Sequence, residues 1–134
     1  MNHSIGSYSE LISLDSYLER LNYLRTFGDN PSNQDRFLMN RFYKSDSWLY
    51  WRDKAIKRDL GCDLGVTDLF IEEGPILVHH INPISIEDVV SGSSFLFDLN
   101  NLITCSLATH NRIHYDKNSV TEWMERVPGD KKLW

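Results

Sequence analysis

The sequence VHHINPI at residues 78–84 and the sequence NLITCSLATHNRIHY at residues 101–115 decide the fold expected for this chain. Apolar and β-branched residues lead into the paired histidines, so residues 76–81 are predicted to form a strand that ends before Pro83. Residues 101–105 predict a second strand, and Ser106 is a candidate N-cap for a helix over residues 106–116. The expected fold class is therefore α+β, with two strands and a helix at its centre.

Four of the five histidines lie in these two stretches. His110 and His114 are four residues apart, a spacing that places both rings on one face of a helix, where they can share a metal ion. His79 and His80 are adjacent on a strand, so their side chains should point to opposite faces. One of the two rings can then serve a metal while the other has a different task.

The flanking sequence predicts further helices. Leucines at helical spacing predict a helix over residues 13–27, and residues 29–35 are typical of a linker. We therefore expect an N-terminal helical extension over residues 1–34, packed on the core or extending from it, and a domain over residues 35–134. Ser45 is a candidate N-cap for a helix over residues 45–59.

Charge is distributed unevenly along the chain. The net charge is −5, which argues against DNA binding by the surface as a whole. Residues 35–58, however, hold seven basic and three acidic side chains, whereas residues 59–106 hold eight acidic and no basic ones. The basic segment is either a solvated helix face or an arm that contacts phosphates.

Cysteine usage and hydropathy exclude two classes of protein. The two cysteines, Cys62 and Cys105, form no CxxC pair, so a cysteine zinc knuckle is excluded. No apolar run approaches the roughly 18 residues that span a bilayer. The sequence indicates a protein that does not enter a membrane, with a cytoplasmic location.

The runs VHHINPI, LNNLI and THNRIHY resemble the HNH endonuclease motif, also called the ββα-metal motif, and in particular that of phage-encoded HNH homing endonucleases. The stretch FYKSDSW, with Arg52 and IKRD, resembles the segment that leads into the motif in phage proteins. The likeness covers about residues 42–134. It implies a small ββα-metal (His-Me finger) core carrying additional N-terminal helices. If the gene belongs to a phage, the cytoplasm is that of a bacterial host. The paired CxxC motifs of many relatives are absent.

The resemblance also implies a role for each motif residue. His79, His110 and His114 match the ligands of one divalent metal ion, which is Mg, Mn, Zn or Ni. His80 matches the general base that activates water, and its unperturbed pKa of about 6.5 suits that role near pH 7. Asn101 matches the residue that braces the loop holding the base, with Asn100 as a rival. The implied reaction is hydrolysis of double-stranded DNA to a 5′-phosphate and a 3′-hydroxyl.

Several basic residues are candidates for contacts with the DNA backbone, although each alone is better explained as a solvated side chain, except Arg112, for which the two interpretations are equally good. They are Lys44, Arg52, Lys54, Lys57, Arg58 and Arg112. The alternative function is a non-catalytic module, either a zinc-stabilised DNA-binding domain closed by all four imidazoles or a phage packaging factor. RNA is a less favoured substrate, because the chain has no RNP-like aromatic motif.

Overall fold

The computed structural model describes residues 5–27 and 36–114 as a small α+β fold with a two-stranded sheet. No helix in these two ranges is both long and apolar enough to cross a membrane. The helices and strands, in chain order, are α1 (Tyr8–Ile12), α2 (Tyr17–Arg25), α3 (Arg36–Tyr43), α4 (Asp46–Arg58), β1 (Ile76–His80), α5 (Ile86–Ser91), β2 (Leu102–Ser106) and α6 (Leu107–His114).

The two strands form an antiparallel pair whose register sets the position of the histidines. His79 lies opposite Ile103, and His80 lies opposite Leu102. Both strands were predicted from sequence to within one residue, and α6 follows β2 directly. The predicted N-cap is confirmed, because the Ser106 hydroxyl accepts a hydrogen bond of 3.1 Å from the backbone N–H of Thr109.

The sheet lies between two layers of helices, because successive strand residues point to opposite faces. On the first side, which we call the α6 face, one core cluster contains Leu11, Leu21, Leu24, Leu64, Leu77, Ile81, Ile103, Cys105 and Ile113. On the second side, which we call the α4 face, another contains Met39, Phe42, Trp48, Ala55, Val78, Ile84, Leu96 and Leu102. The N-terminal helices α1 and α2 thus pack on the same face as α6.

The helix predicted over residues 13–27 is wrong in its first turn. The chain forms two helices here, and α2 begins only after Ser16. The Ser16 hydroxyl accepts from the backbone N–H of Glu19, and the Glu19 carboxylate accepts from the backbone N–H of Ser16. This capping box starts a new helix and overrides the leucine spacing. The predicted linker at 29–35 and the end of the predicted helix at 115–116 lie outside the described residues.

Candidate metal centre

Three histidines converge on the α6 face. His79, His110 and His114 each offer one ring nitrogen, and these three nitrogens all lie within 4.8 Å of one another. The Nε2 atoms of His110 and His114 are 3.1 Å apart. The ring centroid of His79 lies 5.5 Å from that of His110 and 5.3 Å from that of His114. In the part of the chain that the structure describes, this is the one such group of potential metal ligands.

Local structure explains why these rings meet. His79 shares its face of β1 with Leu77, and both side chains point toward α6. His110 and His114 lie one helical turn apart on α6. The carboxylate of Asp63 holds the beginning of that helix, because it accepts hydrogen bonds from the Ser106 backbone N–H and from the hydroxyls of Ser106 and Thr109.

The three imidazoles fit a divalent cation. Two nitrogens that bind one zinc ion at about 2.0–2.1 Å lie about 3.3 Å apart, close to the observed separation of the His110 and His114 nitrogens. Nε2 of His79 is buried and has no hydrogen-bond partner among residues 5–27 and 36–114. A buried acceptor of this kind is costly unless something binds it. Three protein ligands leave coordination positions open for substrate and water.

Burial keeps these rings in the neutral form that binds metal. Desolvation, and then the electrostatic effect of the neighbouring His114, lowers the pKa of His110 to about 3. Desolvation lowers the pKa of His79 well below its usual value, and electrostatic interactions with His110, His114 and His80 lower it further. At neutral pH the rings of His79 and His110 are therefore uncharged, and each has one nitrogen with a lone pair that can bind a metal without first losing a proton.

His80 lies on the opposite side of the strand, in an aromatic pocket of the α4 face. Its ring stacks on Trp48 with centroids 4.9 Å apart and an interplanar angle of 28°. Phe42 and Tyr43 are its other aromatic neighbours. Its Nε2 is 3.1 Å from the carbonyl oxygen of Leu96. Because a carbonyl only accepts, Nε2 carries the ring proton and the lone pair belongs to Nδ1.

The pKa of His80 differs from the sequence-based expectation of about 6.5. Burial lowers it to about 4, although the hydrogen bond to Leu96 and the charge of Asp88 oppose the change. The ring is therefore neutral throughout the physiological range. Its ring proton points to Leu96, away from the three-histidine cluster, so a closed zinc site made of all four imidazoles is not assembled in this structure.

Asn101, rather than its rival Asn100, occupies the bracing position after His80. Its Oδ1 accepts from the backbone N–H of Asn82 at 2.7 Å, and its backbone carbonyl accepts from Ile81 at 2.8 Å. Its Nδ2 donates to the carbonyl of Phe95 at 3.1 Å. Asn101 thus joins the segment after His80 to Phe95. The next residue, Leu96, supplies the carbonyl that accepts the hydrogen bond from His80 Nε2–H. Asn100 instead accepts from Ser9.

No family model, curated protein or solved structure matches this chain.

The candidate DNA-contacting lysines Lys44, Lys54 and Lys57 are solvent-exposed. Lys54 lies 5.2 Å from the ring centroid of Tyr50, an arrangement that leaves its charge at the surface. Arg52 is half-buried and donates to Asp53 at 3.1 Å. These side chains are placed so that a phosphate can reach the lysines without disturbing the core, and their contact with DNA stays a prediction.

The two remaining arginines have intramolecular roles that the sequence did not reveal. Arg58 donates to the Asp59 carboxylate and to the carbonyls of Leu99 and Leu102, and it stacks on Tyr8 at 3.6 Å. A phosphate would have to compete with these contacts for the Arg58 guanidinium, so Arg58 is less suited to DNA contact than the exposed lysines.

Arg112 lies two residues from each helical histidine, which turns it about 160° away from both around the α6 axis. It donates to the Tyr17 hydroxyl at 3.3 Å. Arg112 is therefore placed to tie α6 to α2 rather than to clamp a phosphate at the three-histidine cluster.

Sequence reasoning missed Leu96, Asp63 and Asn82 as parts of the site. Leu96 acts through its backbone carbonyl, which no residue type signals. Trp48 is a core residue of the α4 face, and its stacking on His80 depends on the packing of α4 against β1.

Proposed function

We propose that this chain is a metal-dependent DNA endonuclease of the HNH type, built on a ββα-metal core made of β1, β2 and α6. The observation that carries the proposal is the convergence of His79, His110 and His114 on one face of β1, with His80 held neutral on the other. The order of elements supports it, because two antiparallel strands run directly into the helix that bears two of the histidines.

The three-histidine cluster would hold the metal. A divalent ion bound there, with three neutral ligands, supplies a full double positive charge to the scissile phosphate and to the 3′ oxygen that departs. Mg, Mn, Zn and Ni remain candidates, with Zn and Ni favoured by imidazole ligands.

His80 would accept the proton of the attacking water at Nδ1. The Leu96 carbonyl fixes the tautomer that leaves Nδ1 free of a proton, and it keeps its hydrogen bond to Nε2–H when the ring becomes positively charged. The His80 pKa of about 4 means that the ring is ready to accept at neutral pH without first losing a proton. The same low pKa makes it a weaker base than an exposed histidine.

The scissile phosphate would lie across the end of β1, where both the metal on the α6 face and His80 on the α4 face could reach it. His80 is the last residue of β1, so the strand offers His79 on one side and His80 on the other at the same end. Lys44, Lys54 and Lys57 are the exposed candidates for contacts with flanking phosphates.

The test is cleavage of supercoiled plasmid DNA by the purified protein with Mg, Mn, Zn or Ni, and with EDTA as control. We expect nicked or linear products with at least one metal, none with EDTA, and ends that DNA ligase rejoins without prior phosphorylation. A protein that binds one metal ion and DNA but cuts with none of the four metals would contradict the proposal and favour the non-catalytic zinc-stabilised module.

A further inference from the structure

A buried contact joins the N-terminal segment to the residues that follow His80. Asn82 is 7% exposed, and its side-chain amide makes two hydrogen bonds with the backbone of Gly6. The Gly6 N–H donates to Asn82 Oδ1 at 2.7 Å, and Asn82 Nδ2 donates to the Gly6 carbonyl at 3.0 Å. The Asn82 amide and the Gly6 backbone thus exchange two N–H···O hydrogen bonds, as a hydrogen-bonded pair of residues does in an antiparallel sheet.

Gly6 is the residue that the space allows. A Cβ atom at this position would lie 2.6 Å from the ring of Phe27 and 3.0 Å from Cγ2 of Ile81. With any larger residue, either the Phe27 ring or the N-terminal segment that Asn82 holds would have to shift. The close approach therefore depends on glycine because of packing, since its backbone is not in the left-handed region.

The same amide of Asn82 also holds Asn101. Asn82 Nδ2 donates to Asn101 Oδ1 at 2.6 Å, so both of its hydrogens are used, one toward Gly6 and one toward Asn101. Asn101 in turn donates to the carbonyl of Phe95, next to the Leu96 carbonyl that binds the His80 ring proton. A continuous path of buried and partly buried hydrogen bonds, joined through the backbone of Leu96, therefore leads from Gly6 to His80.

We propose that Asn82 is a positioning residue for the general base: together with the Gly6 backbone it orients Asn101, and through Asn101 it holds the Leu96 carbonyl that fixes the tautomer of His80. The inference rests on the function proposed above. It makes the N-terminal segment a working part of the site, in addition to its packing on the α6 face. It also separates the two sides of the site, because none of the three metal-binding candidates belongs to this path.

Asn82→Asp and Gly6→Ala test the path from its two ends. An aspartate would turn a carboxylate oxygen toward Asn101 Oδ1 and the Gly6 carbonyl, which are both acceptors, so two hydrogen bonds would be lost. An alanine at position 6 would meet the Phe27 ring. Ser9→Ala is the matched control, because Ser9 lies in the same segment and, among residues 5–27 and 36–114, its hydroxyl bonds only the exposed side chain of Asn100, at 3.3 Å.

Three measurements on the full chain separate positioning from general destabilisation. In ¹⁵N-histidine NMR spectra we expect His80 of the wild type to be a single Nε2–H tautomer, and both variants to populate the Nδ1–H form as well. We expect kcat for plasmid nicking to fall roughly 10- to 100-fold with KM within about 3-fold, as for other supporting residues of a site. Zinc affinity should stay within about 3-fold, and Ser9→Ala should match the wild type in all three.

Two results would overturn the inference. One is a wild-type His80 that already populates both tautomers. This measurement uses only the wild type, so it does not depend on whether a variant folds. The other is a pair of folded variants that keep the wild-type tautomer and kcat, or that lose zinc affinity as much as kcat. If the wild type cuts no DNA, the proposed nuclease function fails by itself, and the tautomer and zinc measurements still decide whether Asn82 positions His80.

Discussion

The α6 face and the α4 face of the hairpin treat two neighbouring histidines in opposite ways. On the α6 face, His79 meets two other imidazoles and has a buried nitrogen with no partner among the described residues. On the α4 face, His80 has an aromatic ring against it and a carbonyl for its proton. Burial lowers both pKa values, but only the α6 face gathers lone pairs that a cation would bind. One step along a strand thus separates a candidate ligand from a candidate base.

The largest expected effect comes from removing a ligand on the α6 face. His110→Ala should weaken zinc binding by at least about 100-fold, beyond the effect of losing a supporting residue, and should reduce DNA cleavage to background. Calorimetric zinc titration and plasmid nicking measure the two effects. Arg112→Ala, on the same helix but turned away from the cluster, is the control and should bind zinc as the wild type does.

His80→Phe should separate the two faces. Phenylalanine preserves the ring packing against Trp48 and removes both nitrogens, so cleavage should fall about 10²- to 10⁴-fold, the usual contribution of general base catalysis. Zinc affinity should remain within about 3-fold of the wild-type value. Equal losses of zinc binding and cleavage would mean that His80 belongs to the metal site, and unchanged cleavage would remove it as the base.

Acid should destabilise the metal-free protein through both faces. The folded-state pKa values of His80, about 4, and His110, about 3, lie below the unfolded value of about 6.5. The unfolded chain therefore binds more protons as pH falls from about 6.5 toward 4, so the stability that is complete above pH 6.5 is lost through that window. One such histidine contributes at most about 1.4 kcal/mol per pH unit.

Urea denaturation of the metal-free protein at pH 7, 6 and 5 measures this loss. His80→Phe should show a shallower decline than the wild type, because one of the titrating groups is gone. Stability of the wild type that does not change between pH 7 and 5 would mean that these rings are not buried as neutral imidazoles.

The smallest expected effect lies outside both faces, at the exposed lysines of α4. The double variant Lys54→Ala/Lys57→Ala should weaken DNA binding by about 10-fold at low salt and reduce the slope of log K against log salt by about 2. Fluorescence anisotropy with a labelled duplex measures both values. The control Glu72→Gln/Glu73→Gln removes two exposed negative charges and should not weaken DNA binding. If it weakens binding as much as the lysine variant does, the lysines have no specific role.

Sequence patterns revealed those parts of the fold and site that depend on local spacing. The alternation of β1 separated His79 from His80, and the one-turn spacing brought His110 and His114 together. The N-caps Ser45 and Ser106 are likewise confirmed, because a cap involves residues only three apart.

Features that depend on distant residues were not predictable in this way. The aromatic pocket that lowers the His80 pKa combines α3, α4 and β1, and the carbonyl that fixes its tautomer comes from sixteen residues away. The Asn82–Gly6 contact spans 76 residues. Helix α3 was not among the predicted elements, and it buries Met39 and Phe42 against the α4 face. Such contacts are set by packing and leave no periodic signal in the chain.

The most direct test of the separation between the faces is a ¹⁵N-histidine NMR titration of the metal-free protein with zinc. We expect one ring nitrogen on each of His79, His110 and His114 to shift to the metal-bound range at one equivalent, while His80 keeps its Nε2–H tautomer. A metal-bound nitrogen on His80, or fewer than three metal-bound nitrogens among His79, His110 and His114, would contradict the assignment of ligands to the α6 face and of the base to the α4 face.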